Sequence, residues 1–161
     1  MRESINFKDK SFVVYGLGLT GRSVVNFLKK NKSYEICIWD DYLIKSNQKL
    51  KNQFKLNLNM VDYIVISPGI NLHRSKFKKL LLKNKKKIIT DLDLFFLKNN
   101  VKKSIMITRT NGKSTTCSLI HHILKKNKIK NKLAGNIGKP ILSVKFIENE
   151  IYIIETSSFQ L

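Results

Sequence analysis

The sequence is poor in acidic residues and in arginine. Only 11 of its 161 residues are Asp or Glu, against 31 that are Lys or Arg, which gives a formal net charge of +20. Such a charge can indicate a partner that is nucleic acid or an anionic membrane. Arginine, however, accounts for only four of the basic residues, and the lysines are scattered among many Asn and Ile residues. This pattern favours a compositional bias and a solvated lysine-rich surface over a nucleic-acid site.

Cysteine and long apolar runs are also scarce. Cys37 and Cys117 lack the C-x-x-C spacing of redox and zinc motifs, so both are expected to be reduced thiols. No apolar run approaches the ~18 residues of a membrane helix, and the amino terminus lacks the apolar stretch of a secretory signal. The sequence therefore predicts a cytoplasmic protein with neither a membrane nor a nucleic-acid partner.

Strand and helix patterns alternate along the chain, which predicts an α/β fold with a mainly parallel sheet. The hydrophobic content of 42% is sufficient for a packed core. A polar break at 99–103 predicts a boundary between a Rossmann-like domain, 1–100, and the start of a P-loop ATP-binding domain, 101–161. Because the last predicted strand has no covering helix after it, the second domain is expected to be incomplete. The predicted strands are 12–15, 35–39, 61–66, 88–89, 105–108, 130–134 and 151–154, and the predicted helices are 22–30, 75–83, 91 onwards and 113–126.

The first candidate site is a glycine-rich turn between a predicted strand and a predicted helix. Gly16, Gly18 and Gly21 form G-x-G-x-x-G, and Asp40 ends the next strand about 20 residues later. Such a turn lets the backbone approach a diphosphate, while the carboxylate can meet a ribose or a base edge. A nicotinamide dehydrogenase is one interpretation, and a turn used only for strand-to-helix packing is another. A nucleotide diphosphate bound without redox chemistry is the third.

The second candidate site is a phosphate-binding loop, Thr110-Asn111-Gly112-Lys113-Ser114-Thr115, after an apolar strand that is expected to be buried. Backbone N–H groups at the start of a helix favour an anion, a lysine neutralises the outer phosphates, and the Ser hydroxyl can hold Mg²⁺. Glu155, at the end of the last predicted strand, can help hold the same ion. This pattern favours nucleotide binding over an ordinary capped helix.

Arg109 is the anomaly of this loop, because the shorter form of the motif has glycine at that position. An arginine adds a Cβ and a long cation where glycine leaves room for phosphate. We expect it to weaken ATP binding. A side chain that swings outward, or one that adds a phosphate contact, would be the alternatives.

Five motifs follow one another along the chain: 16–21 (GLGLTG), 67–70 (SPGI), 110–115 (TNGKST), 135–138 (GNIG) and 155–161 (ETSSFQL). Taken together and in this order, they resemble the Mur ligases of peptidoglycan synthesis, and among them the branch that adds D-glutamate. The resemblance implies an ATP-dependent ligase that uses Mg²⁺. In that family the carboxylate of UDP-N-acetylmuramoyl-L-alanine is phosphorylated by ATP, and the amine of D-glutamate attacks the acyl phosphate.

The resemblance also implies roles for individual residues. Lys113 and Glu155 would serve catalysis, Ser114 and Glu155 would hold Mg²⁺, and the whole segment 110–115 would bind ATP. The substrate-binding residues would be Gly18, Leu19, Thr20, Asp40, Gly69, Asn136, Ser157 and Gln160, with Asp40 near the uracil. Asp41 and Tyr42 stand where the family often has Thr-Arg.

The family's later metal and adenine residues, and its D-glutamate domain, have no counterpart in these 161 residues. The chain is therefore expected to be inactive alone. We also expect it to be a monomer. Two alternatives stay open: a UDP-sugar-binding module without catalysis, and another P-loop nucleotide-binding protein.

Overall fold

A computed structural model describes residues 5–42 and 48–157, without the side chain of residue 48. In these ranges strands and helices alternate, as the sequence predicts. The strands are β1 Ser11–Tyr15, β2 Glu35–Trp39, β3 Tyr63–Ile66, β4 Ile88–Ile89, β5 Ser104–Ile107, β6 Asn131–Gly135 and β7 Ile151–Glu155. The helices are α1 Leu19–Lys30, α2 Gln48–Met60, α3 Lys78–Lys83, α4 Asp91–Lys98 and α5 Lys113–Lys126.

The strands form two parallel sheets. The first has the order β2-β1-β3-β4 and the second has the order β5-β7-β6. Every strand pair in both sheets is parallel, which confirms the predicted α/β class. Since parallel neighbours end at the same edge of a sheet, the loops after β1, β2 and β3 meet at one edge, and those after β5, β6 and β7 at another.

The first sheet is covered on both faces, and the residues of β1 from Phe12 to Tyr15 are completely buried. Its alternate side chains enter different cores. Val13 and Tyr15 pack with α2 and α3 on one face, while Phe12 and Val14 pack with α1 and α4 on the other. At its amino end, Asp62 accepts hydrogen bonds from the Ser11 N–H and hydroxyl. These bonds lower the pKa of Asp62 to about 2, and the bond from the Ser11 N–H has the largest effect.

Helix α4 joins the cores of the two sheets. It begins at a capping box in which the side chains of Thr90 and Asp93 each bond the other's backbone. Leu94 packs into the first core, whereas Leu92 and Phe95 pack against residues of the second sheet. Helix α4 thereby connects the core of the first sheet to the side chains of β6 and β7 in the second.

The structure differs from the sequence prediction in several elements. The sequence predicts that strand β5 is buried, but Ile105 and Met106 are 36% and 41% exposed, because among the described strands β5 is an edge strand that pairs only with β7. Helix α1 begins at Leu19 rather than residue 22, and the predicted helix 75–83 is helical only from Lys78. Helix α2 was not predicted at all. Within the described ranges, no helix has both the length and the apolar character to cross a bilayer.

Candidate functional site

A cleft of about 560 Å³ opens at the edge where β1, β2 and β3 end. It brings together predicted substrate-binding residues that are far apart in sequence. The second half of the chain contributes Asn136, which follows β6. The lining residues are Gly16, Leu17, Gly18, Leu19, Thr20, Arg22, Asp40, Tyr42, Ser67, Pro68, Gly69, Ile70 and Asn136.

Asp40 lies at the base of this cleft and is only 8% exposed. One carboxylate oxygen accepts the N–H of Leu17 at 2.7 Å, and the other accepts the N–H of Tyr42 at 2.9 Å. The carboxylate therefore fixes the glycine-rich loop to the end of β2. This positioning role was not foreseen from the sequence, which predicts a ligand contact for Asp40.

Gly21 lies at the closest approach between α1 and the loop that precedes it. A Cβ at Gly21 would lie 1.8 Å from the carbonyl oxygen of Gly16. That oxygen also accepts a hydrogen bond from the Ser67 hydroxyl at 2.8 Å. The loops after β1 and β3 are thus packed together, and the third glycine of the motif is a packing requirement.

The substitution Gly21→Ala should destabilise the protein by about 2 kcal/mol or more, because the new methyl group must displace backbone. Gly18→Ala is the matched control, since a Cβ there would meet no atom within 4 Å. We expect it to change stability by less than about 1 kcal/mol. Urea denaturation of both variants measures the difference, and equal stabilities would contradict this account.

A polar cluster at the neighbouring loops was missed by the sequence analysis. Asp41 accepts the Tyr15 hydroxyl at 2.6 Å and the Trp39 indole N–H at 3.0 Å. Ser75 lies 3.0 Å from the same hydroxyl. Burial, and then the bond to Asp41, raises the pKa of Tyr15. The cluster borders a second cavity of about 530 Å³, which shares Tyr42 with the cleft.

The predicted phosphate loop connects β5 to α5. Gly112 is the N-cap of α5 and has a left-handed backbone, φ +75°, a conformation that favours glycine. Lys113 begins the helix, and its ammonium group donates to the carbonyl oxygens of Arg109 at 2.6 Å and Thr110 at 3.4 Å. Lys113 therefore lies across the loop. Thr110, Asn111 and Thr115 are exposed.

Ser114 and Glu155, the two predicted metal ligands, are in direct contact. The Ser114 hydroxyl donates to Oε2 of Glu155 at 2.7 Å. Glu155 ends β7 and is 6% exposed. The pKa of Cys117 is raised, first by the burial of its thiol and then by the negative charge of Glu155. A hydroxyl and a carboxylate are hard oxygen ligands of the kind that Mg²⁺ takes beside substrate phosphates and water. The pair therefore fits a magnesium ion.

The backbone of Glu155 connects this pair to the cleft. Its carbonyl oxygen accepts the N–H of Asn136 at 3.0 Å. Asn136 lines the cleft, so the two candidate sites meet at these residues. Within the described ranges, no group of three or more His, Cys, Asp or Glu residues is placed so that it could hold a metal ion.

Arg109 has an ordinary negative φ and an exposed side chain. The loop therefore accommodates a residue other than glycine at that position without backbone strain. Ser157 follows β7 and is half-buried, beside Thr156, whose N–H donates to Ile107. Gln160 lies outside the described residues.

The comparisons with known proteins identify the family. The family model for the "Mur ligase MurD-like, N-terminal domain" matches residues 10–90, a stretch that includes the glycine-rich loop and most of the cleft. The chain belongs to the MurD-like Mur ligases. This confirms the resemblance and the fold class that the motifs predict.

Relatives of this family extend the match over almost the whole chain. A protein of Rickettsia prowazekii is 42% identical over 96% of this chain, one of Wolbachia pipientis wMel is 40% identical over 96%, and one of Buchnera aphidicola subsp. Acyrthosiphon pisum is 40% identical over 98%. Each is named UDP-N-acetylmuramoylalanine--D-glutamate ligase. The matches cover 36%, 32% and 37% of those proteins, so this chain spans about a third of their length.

Proposed function

We propose that this MurD-like chain supplies the UDP-substrate cleft and the start of the ATP site of a cytoplasmic ligase. The ligase joins D-glutamate to UDP-N-acetylmuramoyl-L-alanine in the synthesis of peptidoglycan precursors. The observation that carries this proposal is the contact of Ser114 with Glu155, whose backbone in turn bonds Asn136 of the cleft. A nucleotide-linked substrate and a phosphate donor would therefore meet at one edge of the second sheet.

The residues of the cleft are suited to hold the nucleotide end of the substrate. Asp40 fixes the loop before α1, and the first N–H groups of that helix, at Leu19 and Thr20, are free of intrahelical partners. Such N–H groups favour a diphosphate. Gly69 lines the same cleft from the loop after β3, with no atom within 4 Å of where its Cβ would be.

The residues of the phosphate loop are suited to the transfer step. Lys113 would leave its carbonyl partners and neutralise the outer phosphates, while Ser114 and Glu155 would hold Mg²⁺. ATP supplies the phosphoryl group that converts the L-alanyl carboxylate into an acyl phosphate, with ADP as the leaving group. The amine of D-glutamate then forms the amide bond as phosphate leaves and the nitrogen loses a proton. Asn136 would orient the carboxylate between the two sites.

Titration of the 161-residue chain with UDP-N-acetylmuramoyl-L-alanine tests this proposal by isothermal calorimetry. We expect saturable binding with one molecule per chain. Binding of the UDP-sugar but not of Mg²⁺-ATP would support the alternative of a non-catalytic module. If the chain binds neither the UDP-sugar nor Mg²⁺-ATP, the proposal is contradicted.

A further inference from the structure

Arg22 is the basic residue of the cleft. Among the lining residues that the structure describes, it is the only Lys or Arg, and Asp40 is the only acidic one. Arg22 lies in the first turn of α1, directly after Gly21 of the glycine motif. The sequence alone assigns Arg22 no role, because the motif that it follows is defined by its glycines.

The guanidinium of Arg22 is tied to the loop that precedes α1. Its Nε donates to the carbonyl oxygen of Leu17 at 3.0 Å. The N–H of the same Leu17 donates to Asp40 at 2.7 Å. Asp40 thus binds the N–H of Leu17, and Arg22 binds its carbonyl oxygen. Because Asp40 anchors this loop, the bond to Leu17 also fixes the position of the guanidinium. An arginine held through Nε keeps the donors of its two terminal nitrogens for another acceptor.

Those terminal donors have no acceptor within the described part of the chain. Among the described residues, the side chain of Arg22 makes one hydrogen bond, the one to Leu17. No ion pair joins Arg22 to a described carboxylate. The guanidinium is exposed at a cleft of about 560 Å³ whose floor is the glycine-rich turn. Planar guanidinium groups bind phosphate through paired N–H donors and are favoured over lysine where the geometry is fixed.

We infer that Arg22 is the specificity-determining cation of the cleft and binds the diphosphate of the nucleotide-linked substrate. The inference rests on the proposed function, because it assigns the ligand of the same cleft. The diphosphate would be bound both by the N–H groups at the start of α1 and by the guanidinium of Arg22. Nucleoside diphosphates should therefore bind far better than the nucleoside alone.

The test compares UDP with uridine on the 161-residue chain and on Arg22→Gln. We expect the variant to lose about tenfold or more in affinity for UDP, as is usual for the loss of a hydrogen bond to a charged group. Its affinity for uridine should stay within about twofold of that of the parent. A change of that size is smaller than the loss of an ionic contact would cause. The matched control is Lys29→Gln, which removes the same charge from an exposed position of α1 outside the cleft. It should leave both affinities unchanged.

The outcomes separate this inference from the proposed function. If the parent chain binds neither UDP nor UDP-N-acetylmuramoyl-L-alanine, both fail. If the parent binds UDP and Arg22→Gln binds it equally well, the inference alone is overturned. If Arg22→Gln loses UDP and uridine in the same proportion, Arg22 only supports the loop, and the inference is again overturned. Thermal unfolding of the variant checks that the cleft is still folded.

Discussion

Replacing Glu155 with glutamine should weaken the Mg²⁺-dependent binding of ATP by at least about tenfold, the usual loss when an ionic ligand contact is removed. The carboxylate is the charged partner of the Ser114 hydroxyl, 2.7 Å away, at the end of β7. Glutamine keeps an oxygen that can accept the same hydrogen bond, so the local structure should persist while the negative charge is lost. Calorimetric titration with a non-hydrolysable ATP analogue, with and without Mg²⁺, measures the effect.

The stability of this variant distinguishes a metal ligand from a structural residue. Glu155 is 6% exposed, and burial disfavours an ionised carboxylate unless it is paired. We therefore expect the apo form of Glu155→Gln to be as stable as the parent, or more stable, while its Mg²⁺-dependent affinity falls. The control is Glu148→Gln, because Glu148 is an exposed acid that pairs with Lys102 at 2.8 Å. Equal Mg²⁺ dependence in the parent and in Glu155→Gln would contradict the assignment.

The secondary structure could be predicted where the apolar pattern is strong. Strand β2 and helix α5 have the bounds that the sequence indicates, because their apolar residues recur at strand and helix spacing. Helix α2 was missed because its sequence, QKLKNQFKLNLNM, is mostly Lys, Asn and Gln. Of the side chains of that helix that the structure describes, only Phe54 and Leu58 are fully buried. Its contact with the core therefore depends on tertiary packing that no local pattern reveals.

The burial of β5 could not be predicted from its sequence either. An apolar run of three residues, here 105–107, is compatible with a central strand and with an edge strand. Strand order decides between them, and β7, from the end of the chain, takes the central place in the second sheet. Ile105 and Met106 are therefore exposed, although their side chains are as apolar as those of β1.

The candidate site was predictable to the extent that its residues end parallel strands. Glu155 was assigned beside Ser114 on that argument, and the structure places the two in contact. Arg22 and Asp41 were not assigned, because their roles arise from hydrogen bonds to Leu17, Tyr15 and Trp39. These contacts are set by the approach of loops and helices, which residue spacing does not encode. The ligand roles of all these residues remain predictions.

Helix α4 packs against residues of both sheets, and so connects the part of the fold that carries the cleft to the part that carries the phosphate loop. Leu94 packs into the core of the first sheet, while Leu92 and Phe95 pack against the second. A change in the angle between the sheets would expose both sets of side chains at once. Hydrophobic packing on α4 therefore helps to hold the two sheets together, as the proposed function requires of a substrate that would reach from the cleft to Glu155.

Arg109→Gly should raise the affinity for ATP by about fivefold to tenfold, roughly 1 kcal/mol or more. The backbone of Arg109 is unstrained, so the expected gain comes from removing side-chain bulk beside the space for the phosphates. The carbonyl of the same residue holds the Lys113 ammonium at 2.6 Å, and a more flexible glycine would release it more easily to the phosphates. Titration with Mg²⁺-ATP measures the change.

Two further substitutions separate bulk from charge at this position. Arg109→Ala removes the long cation but keeps a Cβ, so its affinity should lie between those of the parent and Arg109→Gly. Arg109→Lys keeps the charge and most of the length, and should bind ATP as the parent does. Affinities that fall in both neutral variants and are preserved in Arg109→Lys would instead make Arg109 a phosphate ligand. In that case the residue that departs from the glycine motif would strengthen the ATP site rather than obstruct it.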